Sequence, residues 1–176
     1  MFKKILVAVD CSEMGRHVFN HALSLAKPIQ AELLLLHVLT AEESGSPDMF
    51  VSPGLSYYPV VNDAMLKVYR EQWQEFEERG LNMLRSLSDV AQSHGVTTTY
   101  RQIPGSPGRI ICSMAEETGV DLVIMGRRGL SAIREMLMGS VSNYVLHHAP
   151  CSTLTIQVPE DGAAKPSDAQ EAAASR

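Results

Sequence analysis

The sequence has neither an excess of positive charge nor a long apolar run. Its 15 lysine and arginine residues are outnumbered by 20 aspartate and glutamate residues, and the net charge is −5. Bulk charge therefore does not favour nucleic acid or anionic lipid, and neither is expected as a partner. No stretch approaches the roughly 18 consecutive apolar residues of a transmembrane helix, so we expect no membrane insertion.

Cysteine is scarce as well. The chain has three, Cys11, Cys112 and Cys151, at wide spacings and without a CxxC pair. This pattern suggests neither a disulfide framework nor a zinc site, so we expect free thiols. The apolar run after Lys4 ends at Asp10 and is too short for a secretory leader, so the predicted location is the cytoplasm.

Five strand-sized runs are rich in valine, isoleucine, leucine or threonine. They cover residues 5–9, 32–39, 97–103, 122–125 and 152–158. The first, second and fourth are continuously apolar, which is typical of central parallel strands that are covered on both faces.

Helix-like stretches separate these runs. Ser12 is positioned to cap the first helix, and we expect Pro28 to stop it. The second helix covers about residues 62–93, with Gly95 at its closing position and Gly80 as an expected weak point.

Two shorter helices follow. Ser106 and Pro107 fit the start of the third helix and Gly119 fits its end, whereas Ser140 is predicted to cap the fourth. The order β-α-β-α-β-α-β-α-β predicts one α/β domain over residues 1–158. Its expected form is a Rossmann-like, three-layer α/β/α arrangement with a five-stranded, mainly parallel sheet. Ligands are then expected outside the carboxyl ends of the strands.

Two segments depart from this alternation. Residues 40–61, rich in glycine, proline, serine and tyrosine, form an insertion on the ligand side, where a lid, a partner surface and a merely flexible loop all fit. Residues 159–176, rich in alanine, serine and charge, are predicted to be a disordered tail.

The most informative stretch runs from Gly126 to Ser142. Gly126 and Gly129 directly follow a buried strand, where a missing β-carbon permits positive φ and lets an anion approach backbone N–H groups. Gly139 and Ser140 open the last helix, whose first N–H groups and positive dipole end favour phosphate. The serine hydroxyls can donate hydrogen bonds or hold a metal-bound water, so Mg²⁺ can accompany the phosphates.

Together with Asp10 at the neighbouring strand end, this stretch resembles the G-x2-G-x9-G-S/T pattern of the universal stress protein family. Further segments resemble the same family: residues 5–10, 36–38, 105–107 and 149–151. The resemblance implies an adenine nucleotide alpha hydrolase-like fold. Because the glycines are present, it also implies the branch of the family that binds ATP or AMP.

The resemblance also implies which residues contact the ligand. The adenine and ribose end would be lined by Ala8, Asp10, Val38 and Met125. The ribose and phosphates would be held by Gly126, Arg128, Gly129, Gly139, Ser140, Val141 and Ser142.

Alternatives remain for the polar candidates. Asp10 can accept ribose hydroxyls or can serve only as a cap of the first helix. His37 lies in a buried strand and is interpreted as a core histidine with satisfied hydrogen bonds. Adjacent His147 and His148 diverge by about 100 degrees on a helix, so they cannot both face one metal ion.

Catalytic signatures are missing from the sequence. It has no G-x4-G-K-S/T string, no GxGxxG after the first strand, and no nucleophile, base and acid at a defensible spacing. The leading hypothesis is a regulatory or sensor protein of a stress response whose ATP or AMP occupancy biases residues 40–61 or an interface. The alternatives are a slow ATPase and a nucleotide-independent interaction protein. The last strand has an edge that can pair with a second copy, and we expect a homodimer.

Overall fold

The computed structural model describes residues 1–43, 45–47, 63–127 and 139–157. The predictions for Arg128 and Gly129, for most of the 40–61 insertion and for the tail lie outside these residues. The elements, in chain order, are β1 (Lys4–Ala8), α1 (Glu13–Ile29), β2 (Glu32–Leu39), α2 (Asp63–Ser93), β3 (Thr98–Pro104), α3 (Pro107–Thr118), β4 (Leu122–Gly126), α4 (Ser140–His148) and β5 (Ser152–Ile156).

The strands form one sheet in the order β3-β2-β1-β4-β5, and every neighbouring pair is parallel. The chain builds outward from β1 to β3 on one side and then returns to add β4 and β5 on the other. This arrangement confirms the predicted α/β fold and makes the gap between β1 and β4 the topological switch point.

The central strand has side chains in two separate cores. Ile5 and Val7 of β1 pack with residues of α1 and α2, whereas Leu6 packs with residues of α3 and α4. Helices therefore cover both faces of the sheet, as the predicted three-layer arrangement requires. Burial on both faces explains why the central strands are continuously apolar.

The first helix begins as predicted but ends differently. The Ser12 side chain caps it by accepting a hydrogen bond from the Gly15 N–H. The prediction that Pro28 stops the helix is wrong, because α1 continues to Ile29 and accommodates the proline in its last turn. The helix ends where Gln30 adopts a left-handed conformation.

The glycines of α2 and α3 have distinct roles. Gly119 closes α3 in the left-handed conformation, and Gly95 follows the end of α2 with a φ of +78°, both as expected. Gly80 does not interrupt α2; it is a buried residue of a continuous helix.

The starts of the last two helices correct the predicted caps. Ser106 occupies the N-cap position of α3 with Pro107 following, but its side chain makes no capping hydrogen bond. The residue at the N-cap of α4 is Gly139, so Ser140 is the first helical residue rather than the cap. Within the described parts of the chain, no helix is long and apolar enough to cross a membrane.

Asp121, which immediately precedes β4, connects the starts of β1 and β4 by hydrogen bonds. Its carboxylate accepts hydrogen bonds from the backbone N–H groups of Lys3 and Lys4 at 2.7 and 2.9 Å. These bonds lower the pKa of Asp121, the bond from Lys3 having the largest effect. They anchor the start of β1 beside β4.

Candidate functional site

A cleft of about 230 Å³ opens at the carboxyl edge of the sheet, beside the switch point. The ends of β1, β2 and β4 and the first turns of α1, α3 and α4 enclose it. Nine of the eleven site residues predicted from the sequence line this cleft: Ala8, Asp10, Val38, Met125, Gly126, Gly139, Ser140, Val141 and Ser142. The other two, Arg128 and Gly129, lie outside the described residues.

The inner wall of the cleft is apolar. Val38 and Met125 are almost fully buried at the ends of β2 and β4, and Ile111 of α3 lies against the same core. Pro107 and Ala8 complete this surface. An apolar wall between helix starts can hold a flat, uncharged ring system.

Asp10 borders the cleft directly after β1 and is held by the loop that leads into α1. One of its carboxylate oxygens accepts hydrogen bonds from the backbone N–H and the hydroxyl of Ser12. A β-carbon at Gly15 would lie 2.1 Å from the Asp10 carbonyl oxygen, so only glycine lets α1 approach this closely. Asp10 thus organises the helix start and lines the cleft at the same time.

The first turn of α4 forms the opposite wall. Its intrahelical bonds begin with the Asn143 N–H donating to the Gly139 carbonyl at 2.9 Å. The N–H groups of Ser140, Val141 and Ser142 therefore precede the helical hydrogen-bond pattern, at the positive end of the helix dipole. The Ser142 hydroxyl donates to the Gly139 carbonyl at 3.0 Å, which holds this turn in shape.

The two described glycines of the predicted loop differ in what requires them. Gly126 has no positive φ. A β-carbon there would lie 2.7 Å from Met14 Cγ and 3.1 Å from Val18 Cγ2, so the glycine is needed for contact between β4 and α1. A β-carbon at Gly139 would meet, among the described residues, only the Ser142 hydroxyl, at an ordinary 3.5 Å. Packing inside the protein therefore explains why position 126 is a glycine. Packing does not explain the glycine at position 139, where a side chain would instead take up space in the cleft.

Sequence reasoning missed part of the lining. Residues of α1, α3 and the segment after β2 also line the cleft, namely Met14, Gly15, Val18, Thr40, Glu42, Glu43, Pro107 and Ile111. A capped helix start at Ser12 could have indicated Met14 and Gly15, because the first turn of α1 faces the edge where β1 ends. No sequence pattern around Glu43 indicates that the segment after β2 folds back and buries the Glu43 side chain.

The side chains of the described lining carry only negative formal charge. Asp10, Glu42 and Glu43 lie on one side, and no lysine, arginine or histidine is present among the described lining residues. Favourable potential for an anion in this part of the cleft therefore comes from the helix starts that border it, among them the start of α4.

His37 is a core histidine with hydrogen bonds at both ring nitrogens, as predicted. It is 1% exposed. Its Nδ1 lies 2.9 Å from the Gln102 side-chain oxygen, and its Nε2 lies 2.9 and 3.2 Å from the two carboxylate oxygens of Glu43. Burial lowers the pKa of His37, but the hydrogen bonds with Glu43 and Gln102 and the charges of Glu43 and Asp10 together outweigh burial, so the pKa is above its normal value.

Cys11 lies next to this pair, and its backbone N–H donates to Glu43 at 3.2 Å. Desolvation raises the pKa of the Cys11 thiol, and the charges of Glu43 and Asp10 raise it further. A raised pKa keeps the thiol protonated at neutral pH, which argues against a role as a nucleophile.

Comparison with known proteins identifies the architecture that carries this cleft. The model of the universal stress protein family matches residues 1–157. The chain belongs to the universal stress protein family. The universal stress protein Sll1388 of Synechocystis is 33% identical over 156 residues, which are 89% of this chain and 98% of that protein.

Solved structures of universal stress proteins share the fold. UspA from Lactobacillus plantarum has a TM-score of 0.67 at 23% identity, over 88% of this chain and 97% of the other. A universal stress protein family member of Arabidopsis thaliana, solved with AMP bound, has a TM-score of 0.59 at 23% identity, over 94% and 97%. Other universal stress proteins with this fold were solved with cAMP and, from Archaeoglobus fulgidus, with dAMP.

Proposed function

We propose that this protein binds an adenine nucleotide, ATP or AMP, in the cleft at the carboxyl edge of the sheet. The observation that carries the proposal is the make-up of that cleft: an apolar wall, a carboxylate beside it and a helix start opposite. An adenine ring, a ribose and phosphates need surroundings of these three kinds.

The apolar wall suits the base. Val38 and Met125 present aliphatic and thioether surface at the ends of β2 and β4, and Ala8 lies at the end of β1 between these two strands. A flat ring gains dispersion contacts and sheds water against such a surface. A small residue at position 8 also lets a ring approach the backbone of β1.

The Asp10 carboxylate is the proposed acceptor for the ribose hydroxyls. An ionised carboxylate accepts hydrogen bonds from hydroxyl groups, as Asp10 does from Ser12, and Asp10 borders the cleft where a ribose would present its hydroxyls. This reconciles the two roles that the sequence left open for Asp10, because the same side chain can hold the loop and the ligand.

The helix start at α4 is the proposed phosphate site. Its N–H groups point out of the first turn, and the dipole adds partial positive charge. No cationic side chain is among the described lining residues, so Arg128 and any Mg²⁺ carried by the phosphates would supply further positive charge. The remaining proposed contacts with ribose and phosphates are Gly126, Gly129, Gly139, Ser140, Val141 and Ser142.

Family membership supports this proposal. AMP, cAMP and dAMP, the ligands of the three nucleotide complexes named above, share adenine, a five-carbon sugar and one phosphate. The number of phosphates is what differs between AMP and ATP. The apolar wall and Asp10 would recognise the common part, and the α4 end would set the preference for phosphate number.

The biological role that we propose is regulatory, as a sensor in a stress response. The sequence has no nucleophile, base and acid at a defensible spacing, which favours binding without turnover. Occupancy would act on the segment that follows β2, since Thr40, Glu42 and Glu43 border the ligand space. A cytoplasmic location fits this role and is part of the proposal.

Calorimetric titration of the full chain with ATP and with AMP tests binding. We expect a Kd of about 100 μM or tighter, equivalent to about −5.5 kcal/mol. Gly139→Val should weaken it at least about tenfold, because the new side chain occupies the approach to the α4 amides. The backbone there has φ −53° and ψ 148°, which valine accepts, so the fold should be retained.

Ser113→Val is the matched control, because Ser113 is exposed on α3 and does not line the cleft. It should bind as the wild type does. Absence of binding by the folded wild type, or equal affinity in Gly139→Val, contradicts the proposal and favours the nucleotide-independent interaction protein.

A phosphate-release assay separates the sensor from the slow ATPase. We expect binding without turnover above the rate of ATP alone. Sustained release that Asp10→Asn or Ser140→Ala abolishes, while both variants still bind ATP, would support the enzyme instead.

We also propose a homodimer through β5. This strand lies at one edge of the sheet, and Leu154 in its middle is 40% exposed. An exposed apolar residue on an edge strand favours pairing with a second copy. Light scattering at micromolar concentration tests the dimer, and a monomeric mass would contradict it.

A further inference from the structure

Three side chains with metal-binding atoms meet beside the cleft. They are the thiol of Cys11 after β1, the imidazole of His37 within β2 and the carboxylate of Glu43 after β2. Their sulfur, nitrogen and oxygen donors all lie within 4.8 Å of one another. We call them the Cys11–His37–Glu43 cluster; the proposed nucleotide contacts use none of these three side chains.

The hydrogen bonds of Gln102 fix the protonation of the His37 ring. The Gln102 amide nitrogen donates to the Glu77 carbonyl at 2.9 Å, which orients the amide oxygen toward His37 Nδ1. An amide oxygen only accepts, so Nδ1 must carry a hydrogen. In the neutral ring, Nε2 then presents a lone pair. A partner that fixes the far ring nitrogen is typical of metal-bound histidines.

The lone pair of Nε2 faces two more acceptors. The oxygens of Glu43 lie 2.9 and 3.2 Å from it, and Glu43 is only 7% exposed. Lone pairs that converge in a buried place require a positive species between them. Without a metal, a proton on Nε2 satisfies the His37–Glu43 pair. A metal ion would displace this proton and the Cys11 thiol proton, which go to solvent, and would engage all three donors.

We propose that Cys11, His37 and Glu43 bind one divalent transition-metal ion of the zinc type. Nitrogen, thiolate and carboxylate donors are the usual ligands of Zn²⁺, and three protein ligands leave a fourth position for water. Donors around a tetrahedral zinc ion lie about 3.3–3.8 Å apart. The His37–Glu43 contact must therefore widen by a few tenths of an ångström, and the sulfur must move inward.

The surroundings favour these small adjustments. Glu43 is already held on the cluster by its contact with the Cys11 backbone N–H, and its own N–H donates to the Thr40 carbonyl at 3.2 Å. Cys11 is exposed, so its side chain can rotate and an ion has a route in from solvent. The histidine and carboxylate are thus preorganised, and the cysteine is the adjustable ligand.

Titration of the metal-stripped full chain with Zn²⁺, in the absence of nucleotide and against a chromophoric chelator, tests this site. We expect one ion per chain. Cys11→Ser should weaken Zn²⁺ affinity at least about 100-fold, and Gln102→Ala, which frees the His37 ring, about tenfold or more. Co²⁺ bound in place of Zn²⁺ should show a thiolate-to-metal charge-transfer band that Cys11→Ser abolishes.

Controls must distinguish metal binding at the Cys11–His37–Glu43 cluster from metal binding by a pair of histidines on the surface. His17 and His21 are exposed one turn apart on α1 and can hold an ion by themselves. The double variant His17→Gln/His21→Gln, and the single variant Cys112→Ser, should keep the affinity and the Co²⁺ band. The proposal is overturned if folded wild type binds no ion, if binding disappears with the His17/His21 pair, or if Cys11→Ser binds as the wild type does.

Discussion

Replacing Gly80 by alanine tests the tightest contact between α2 and the sheet. In an exposed helix interior this change stabilises a protein by about 1 kcal/mol. Here the added β-carbon would lie 2.2 Å from the Gln102 side-chain oxygen and 2.5 Å from His37 Nδ1. Overpacking costs about 1–3 kcal/mol, and a buried ring nitrogen that loses its partner costs a similar amount. We therefore expect a net loss of about 2–4 kcal/mol.

Urea unfolding followed by circular dichroism measures this loss. With a slope of about 2 kcal/mol per molar urea, the midpoint should fall by about 1–2 M. Ser86→Ala, on the exposed side of the same helix, is the matched control and should raise stability by a few tenths of a kcal/mol.

A double-mutant cycle locates the effect. Gln102→Ala removes the closest atom, so it should reduce the cost of Gly80→Ala by about 1 kcal/mol or more. If Gly80→Ala is as stable as Ser86→Ala, or if the two changes are additive, the reasoning is refuted.

Three further predictions follow from other contacts. Hydrogen bonds from Lys3 and Lys4 lower the pKa of folded Asp121 below 3.8, so the stability that this carboxylate contributes is complete above that pH and is lost as the pH falls through the lower folded-state pKa. Asp121→Asn should therefore lower the urea midpoint at pH 7, and the difference from wild type should shrink in acid. Leu154→Lys should convert the proposed dimer to a monomer in light scattering, whereas Val68→Lys, at an exposed site on α2, should not. Gly15→Ala should cost about 1–3 kcal/mol or more of unfolding free energy in urea, since its β-carbon meets the backbone of Asp10.

The strands could be predicted because their signal is local. Continuous apolar runs indicated β1, β2 and β4 to within a residue or two, and the alternation with helices indicated a parallel sheet. The predicted end of α1 was wrong because Pro28 lies in the last turn, where a proline destabilises a helix less than in its interior. The left-handed Gln30 that ends the helix has no strong sequence signal. The prediction that Ser140 caps α4 was wrong because serine and glycine both favour helix starts, and their order does not decide which one caps.

The cleft was predictable in outline for a different reason. Strand ends and helix starts meet at one edge of a parallel sheet, so Asp10 and Ser140 could be assigned to the same place before any contact was known. The Cys11–His37–Glu43 cluster could not, because its donors come from three places with no recognisable ligand spacing. The role of Gly80 in α2 could not be predicted either, since it depends on a histidine in β2 and a glutamine in β3.

The hydrogen bonds from Lys3 and Lys4 to Asp121 have a practical consequence for attaching the protein to a surface. All strands of the parallel sheet begin at one edge, and the bonds to Lys3 and Lys4 hold the start of β1 there, with Met1 94% exposed. A tag, fluorophore or surface tether joined ahead of Met1 would emerge from this edge, on the far side of the sheet from the cleft. Molecules immobilised in that orientation would keep the cleft directed toward the solution, ready for measurements on a sensor chip.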